Sequence, residues 1–247
     1  MAGHSHWARI KRAKAANDAK RGAVWSKIAR RIIVAARAGG GDPDENLTLR
    51  YAIDDAKEAN MPKDTIKNAI KKGTGEIGGQ NYEQVIYEGY GPNGVAFLVD
   101  CLTDNRNRTA PEMRKIFERV GGQLGSSGCV AWMFEKKGTF AVSSDKADED
   151  TLMEIALEAG ADDVEADGDL YEITCSPEAY RDVKAELEAK GIETVSSELA
   201  MVPSNQVAVE RDTAEKIMRM MDALEEHDDV QNIYMNADMP EDVMQES

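Results

Sequence analysis

TFAVSSDKADEDTLMEIALEAGADDVEADGDLYEITCSPEAYRDVKAELEAKGIETVSSELAMV, residues 139–202, decides the fold. TFAVS alternates apolar and polar residues as a strand does, and EDTLMEIALEAG repeats every three to four residues as a helix does. DDVEA and LYEITC alternate again on either side of Asp167-Gly168. PEAYRDVKAELEAKG returns to helical spacing, with Pro177 at its start and Gly191 at its stop, and TVSSELAMV is a last strand. The order β-α-β-β-α-β within about 65 residues is the ferredoxin-like one.

The flanking sequence does not fit inside that unit. After it, QVAVE, TAEKIMRMMDALEEH and VQNIYMNA read as strand, helix and strand. Before it, QVIYEGYG and GVAFLVDCLTD are strands joined by a turn at Pro92-Asn93-Gly94. TAPE at Thr109–Glu112 is a capping box that opens a helix through Val120, and CVAWMFE is a further strand. The economical arrangement lets the late elements complete what begins at Tyr82. It gives a middle domain of residues 76–136 plus 204–240, an inserted ferredoxin-like domain at 137–203, and a tail, 241–247, expected to be disordered.

Residues 1–75 read as a helical domain preceded by a basic arm. In Val24–Ala38, the residues Trp25, Ile28, Ile32 and Ala36 form one apolar stripe, and Lys27, Arg30, Arg31 and Arg37 project from the opposite side. Gly39-Gly40-Gly41 ends this helix. DPDE opens a second, with Asp42 as cap, Pro43 in the first position and Glu45 reaching back; Leu49, Ile53 and Ala56 are its stripe. NMPKDTIKNAIKKG is a third, with Pro62 near its start, Gly73 past its end, and Ile66, Ala69 and Ile70 inward. KKGTGEIGGQN, glycine-rich and aperiodic, is the linker. The predicted fold class is α+β: an N-terminal three-helix bundle, then two α/β domains, the third ferredoxin-like (βαββαβ) and inserted in the second.

Charge divides the chain the same way. The whole protein carries a net charge of −16, yet residues 1–75 hold 16 Lys or Arg against 8 Asp or Glu, and residues 76–247 hold 14 against 38. From Met1 to Gly41 ten basic residues face a single acid, Asp18. So one-signed a segment suits a phosphate backbone, because each neutralised phosphate releases counterions. Arg9, Lys11, Arg12, Lys14, Lys20, Arg21, Lys27, Arg30, Arg31 and Arg37 supply the charge, Trp7 a surface on which an unpaired base stacks, and His4 and His6, once protonated, donors to phosphate. The plainer alternative is a solvated helix face that keeps the domain in solution.

DNRNRT, Asp104–Thr109, sits between a strand end and a helix N-terminus, where free N–H groups with Arg106 and Arg108 favour an anion. Its alternative is a loop whose Asp and Asn cap turns and whose arginines pair with nearby acids. GGQLGSSGC, Gly121–Cys129, follows a helix and lacks the Lys-Ser/Thr ending, so it is a turn and not a phosphate loop.

Nothing marks a catalyst. There is no Gly-x-Ser-x-Gly elbow, no His-Glu-x-x-His and no dinucleotide fingerprint, and of three histidines two lie in the arm and His227 in an acidic helix end. Cys101, Cys129 and Cys175 are dispersed in apolar runs and read as small buried hydrophobes in a reducing compartment. Met218, Met220 and Met221, near Met235 and Met239, read as core, with a soft binding surface as the alternative. No cofactor, metal or small-molecule substrate is expected. No run reaches the roughly 18–20 apolar residues that span a bilayer, and no secretory signal is evident. An arginine-rich, acid-poor start is also what a mitochondrial transit peptide looks like.

Five motifs in order, MAGHSHW, AKRG, GGGDPDEN, YEGYGPNG and DNRNRT, resemble the YebC/PmpR family from Met1 to about residue 236. The family takes in bacterial proteins labelled probable transcriptional regulators and mitochondrial translational activators of cytochrome c oxidase. The resemblance implies a helical N-terminal bundle and two α/β domains, the third inserted in the second, with the arm from Met1 part of the folded protein. The family start is usually GHSKW, and His6 here replaces a fixed positive charge with a titratable one. On function the resemblance implies either a DNA-binding transcriptional regulator or a ribosome-associated factor acting on rRNA or tRNA. The expectation is a cytoplasmic, non-enzymatic, nucleic-acid-binding regulator of gene expression. A protein-interaction adaptor whose basic arm docks on its own acidic domains or on an acidic partner is the alternative of another class.

Overall fold

The apolar stripes of residues 21–74 fold into three helices: α1 (Arg21–Gly39), α2 (Leu47–Glu58) and α3 (Lys63–Thr74). The computed structural model describes residues 21–240 and Val243. Ile28, Ile32 and Ala36 of α1 are buried against Leu49, Ala52 and Ala56 of α2 and Ile66 and Ala69 of α3. Trp25 is half-buried at the rim, and its indole Nε1 donates to the Ala59 carbonyl at 2.9 Å.

Two helix ends differ from the sequence reading. The start of α2 belongs to Asn46, whose Oδ1 accepts from Leu49 N–H at 3.1 Å while its Nδ2 donates to the Ala35 and Gly40 carbonyls at 2.8 and 2.9 Å. One side-chain amide thus caps the start of α2 and the end of α1. Asp42 instead closes a tight turn, with its carboxylate accepting from Asp44 N–H at 2.8 Å. Gly73 is not the stop of α3: it lies inside the helix, buried, and the left-handed residue is Gly75 at φ 83°. A Cβ on Gly73 would stand 2.6 Å from both the Ala36 Cβ and the Ile33 carbonyl oxygen, so here glycine sets how closely α3 approaches α1.

Past the linker, β1 (Glu83–Tyr90) and β2 (Ala96–Thr103) form an antiparallel hairpin in register from Glu83↔Thr103 to Tyr90↔Ala96. Its turn is Pro92–Gly94, with Asn93 at φ 58°. Next come α4 (Arg106–Arg119) and β3 (Gln123–Leu124), which pairs with β1. The helix begins three residues before the expected capping box: Asn105 is the cap, accepting from Arg108 N–H at 3.2 Å, and Thr109 is internal. Phe117 of α4 meets Phe97 of β2 edge to face, ring centroids 6.0 Å apart.

CVAWMFE is not one strand: Ala131–Met133 is a 3-10 turn and Phe134 starts β4 (Phe134–Ser143). Then follow α5 (Glu149–Glu158), β5 (Ala161–Asp167), β6 (Leu170–Cys175), α6 (Tyr180–Ala189) and β7 (Thr194–Pro203). Their sheet has the order β5-β6-β4-β7 with every neighbour antiparallel, which is the ferredoxin-like arrangement expected for this stretch. Phe140 of β4 stacks on Tyr180 of α6 at 4.9 Å, and Leu152, Val164, Ile173, Val183 and Leu187 complete that core.

Last come β8 (Val207–Ala208), α7 (Arg211–Glu225), β9 (Val230–Met235) and β10 (Ala237–Asp238). β9 joins the early sheet, whose order is β3-β1-β2-β9. Met220 and Met221 are fully buried, as core residues should be. By contact the described chain groups into residues 21–129 with Lys216–Ile233, and Val130–Glu215 with the residues from Tyr234 onward. Of the tail only Val243 is described, and it is buried.

Candidate nucleic-acid interface

The sequence places the basic face of α1 toward solvent. For two of its members the structure shows otherwise. Lys27 Nζ donates at 2.8 Å to the carbonyl of Glu225, the last residue of α7. That carbonyl is one that a helix end leaves without an internal partner, and it carries the negative end of the helix dipole. Burial holds the Lys27 ammonium below its ordinary pKa, while the carboxylates of Glu225 and Asp228 push the other way.

Arg30, one turn on, donates through Nη1 to the Asp228 carbonyl and, at 2.9 Å, to Asp229 Oδ1. Its guanidinium also lies over the Tyr82 ring, 5.4 Å from the centroid. Arg31 pairs at 2.6 Å with Asp55, both half-exposed. Arg37 is exposed and reaches the Gln80 carbonyl at 3.3 Å.

Asp229 is the centre of this constellation. Its side chain is 1% exposed, and besides Arg30 it accepts from Arg108 Nη2 and Thr109 Oγ1, each at 2.7 Å. Thr103 Oγ1 stands 2.8 Å behind the Thr109 hydroxyl. Burial pushes the Asp229 carboxyl up, but hydrogen bonds from Arg108, Thr109 and Thr103 outweigh it and hold the group below the usual Asp range. The backbone closes the same corner: Leu102 N–H donates to the Asp229 carbonyl at 2.8 Å, and Asp229 N–H donates to His227 Nδ1 at 3.1 Å. With Nδ1 accepting, the His227 proton sits on Nε2, which donates to Glu112 at 2.9 Å.

Asn105 caps the helix, Arg108 turns in to Asp229 and Asp104, and Arg106 lies 3.7 Å from Glu83 on the surface. Arg30 and Arg108, two separate anion contacts in the sequence reading, meet on one buried carboxylate of the chain itself. His4, His6, Trp7, Arg9, Lys11, Arg12, Lys14 and Lys20 lie outside the described residues, as does the side chain of Arg21. Arg30→Ala is expected to lower the melting temperature measurably and Arg31→Ala to leave it within about 1 °C, since an exposed pair contributes little. Equal melting curves for the two variants would show that the Arg30 contact carries no weight.

The sequence reading passed over the lysines of α3. Lys63, Lys67, Lys71 and Lys72 are all exposed and have no ion-pair partner among the described residues. Lys63, Lys67 and Lys71 stand four residues apart, and like charges at that spacing cost an isolated helix about 0.2–0.5 kcal/mol per pair. Lys63 adds to this by opening the helix, where the dipole disfavours a cation. The signal was present in NMPKDTIKNAIKKG, whose inward Ile66, Ala69 and Ile70 leave these lysines on the remaining faces.

Other chemistry is thinly supported. No His, Cys, Asp and Glu cluster among the described residues is placed to hold a metal ion. Burial pushes the Cys175 thiol up to about 11 and Cys101 higher still, so neither offers a thiolate. No helix among the described residues is long and apolar enough to cross a membrane.

Comparison with known proteins gives matches along nearly the whole chain. Residues 5–76 match the family described as TACO1/YebC protein N-terminal domain, and residues 82–237 the TACO1/YebC second and third domain. A protein of Pelotomaculum thermopropionicum named "Probable transcriptional regulatory protein" is 56% identical over 96% of this chain and 98% of its own. A protein of Desulforapulum autotrophicum with the same descriptive name is 53% identical over 98% of each. The crystal structure of a conserved hypothetical protein from Aquifex aeolicus superposes with a TM-score of 0.82 at 46% identity, covering 91% of this chain and 93% of that one.

Proposed function

Because the chain belongs to the TACO1/YebC family, we propose that it is a cytoplasmic, non-enzymatic regulator of gene expression that works by binding nucleic acid, in the first instance DNA. Relatives at more than half identity are named as transcriptional regulators, which supports regulation as the role. The observation that carries nucleic-acid binding is the division of charge, 16 basic against 8 acidic residues up to residue 75 and 14 against 38 beyond it. A basic module tethered to an acidic body is attracted to phosphate at one end only, which gives it an orientation.

A second reading, a ribosome-associated translation factor, is favoured by that same acidic body. Long duplex DNA repels it, whereas basic ribosomal proteins attract it. Binding of the full chain to duplex DNA and to single-stranded RNA, measured between about 50 and 200 mM salt, tests the shared claim. Affinity should fall linearly in log–log form; a flat response would remove nucleic acid from the proposal. Co-sedimentation with ribosomes against promoter occupancy in cells then separates translation from transcription.

A further inference from the structure

The basic charge of the N-terminal helices divides into two populations. Lys27 and Arg30 are engaged inside the protein by Glu225, Asp228 and Asp229, Arg31 is paired with Asp55, and Arg37, exposed at the end of the same face, reaches the Gln80 carbonyl. The lysines of α3 are exposed and without an ion-pair partner among the described residues, in a chain that has 46 acids to offer them. We infer that Lys63, Lys67 and Lys71 of α3, and not the arginine face of α1, form the phosphate-contact surface of the described N-terminal helices. This rests on the nucleic-acid reading above and adds which side chains meet the backbone.

The geometry fits a phosphate chain. At 1.5 Å rise per residue, the three lysines are spaced about 6 Å apart along the helix and span about 12 Å. Each is a compact ammonium on a flexible four-carbon stem, which follows a phosphate without demanding one orientation. The surface is close to one sign: Asp64 in the first turn is the only acid of the helix, and Glu76, just past its end, accepts from the Thr74 hydroxyl at 3.0 Å. Other exposed basic residues differ. On α4, Arg114, Lys115 and Arg119 are interleaved with Glu112 and Glu118. The opposite side of α3 is fixed by Ile66, Ala69 and Gly73 against α1, so the lysine row is presented by a rigid element.

The test compares four full-length proteins: wild type, Lys63→Gln/Lys67→Gln/Lys71→Gln, the same three positions changed to Arg, and a control with Lys146→Gln/Lys190→Gln/Lys216→Gln. Each is titrated with duplex DNA and with single-stranded RNA over a series of salt concentrations, and its fold is checked by circular dichroism. The α3 glutamine variant should keep its fold and lose about one unit of log–log salt slope per lysine removed, about three in all. The arginine variant and the control should keep the wild-type slope. A larger effect on duplex assigns the surface to DNA, and a larger effect on single strands assigns it to RNA. If wild type binds and the α3 glutamine variant matches the control, this inference is overturned and nucleic-acid binding still stands. If wild type shows no salt-dependent binding, the broader proposal fails and takes this one with it. A variant that binds nucleic acid as wild type does but loses a nuclease-resistant protein partner would also overturn it, since the row would then serve a protein.

Discussion

Asp229→Ala lowers the melting temperature by about 5–15 °C at pH 7. The change removes a carboxylate that is 1% exposed and leaves Arg30, 17% exposed, and the Thr109 hydroxyl without their common acceptor. Breaking a buried pair by deleting one partner costs about 3–5 kcal/mol. Arg108 is 45% exposed and regains water, which discounts the figure to about 2–4 kcal/mol. At this chain length each kcal/mol moves the midpoint by about 2–4 °C. The pH dependence distinguishes this from a packing defect. A carboxylate held below its ordinary value stabilises the fold fully above that value, 3.8, and loses the effect as pH falls through its lower folded value. The gap between wild type and Asp229→Asn should therefore shrink as the pH drops below about 3.8. A gap unchanged between pH 7 and pH 2 would mean that the carboxylate charge is not what holds this corner.

Gly73→Ala should also destabilise, against the usual rule. In a helix interior alanine is better than glycine by about 1 kcal/mol. Here the added methyl would lie 2.6 Å from the Ala36 Cβ and from the Ile33 carbonyl oxygen, and neither is the movable end of a side chain. Overpacking of this kind costs about 1–3 kcal/mol, enough to reverse the propensity gain. Among the described residues, no atom lies within 4 Å of where a Cβ on Gly22, in the first turn of α1, would stand. Gly22→Ala should accordingly be neutral or stabilising by up to about 1 kcal/mol. Thermal melts of the two single variants decide it; Gly73→Ala as stable as Gly22→Ala would show that α3 and α1 can part without cost.

Most of the fold was legible because apolar period and turn chemistry agree along the chain. The ferredoxin-like stretch, the hairpin around Asn93 and the bundle stripe of Ile28, Ile32 and Ala36 each have local signals that point one way. The choices between local candidates were not legible. Asp42 and Asn46 can both cap, and Asn46 prevails because one amide serves two helix ends. Thr109 looks like a cap, yet its hydroxyl is drawn to a carboxylate 120 positions away. The charged face of α1 was harder still. Helical spacing shows that Lys27 and Arg30 leave the bundle's apolar side, but not that the end of α7 waits there. A one-signed surface and a one-signed docking face look alike until the partner is placed, and here the partner is backbone carbonyls and one aspartate.

That docking face has a bearing on the order in which the protein is made. The bonds from Lys27 and Arg30 close loops of 198 and 199 residues, among the longest the chain can form. At about 5–20 residues per second, a nascent chain emerges for roughly 10–40 s with α1 exposed before its partners exist. During that interval Lys27 and Arg30 stand without the partners that engage them in the finished protein, where Arg37 is exposed still. The carbonyls of Glu225 and Asp228 and the carboxylate of Asp229 precede β9, so Lys27 and Arg30 meet their partners only once the segment leading into β9 has been made.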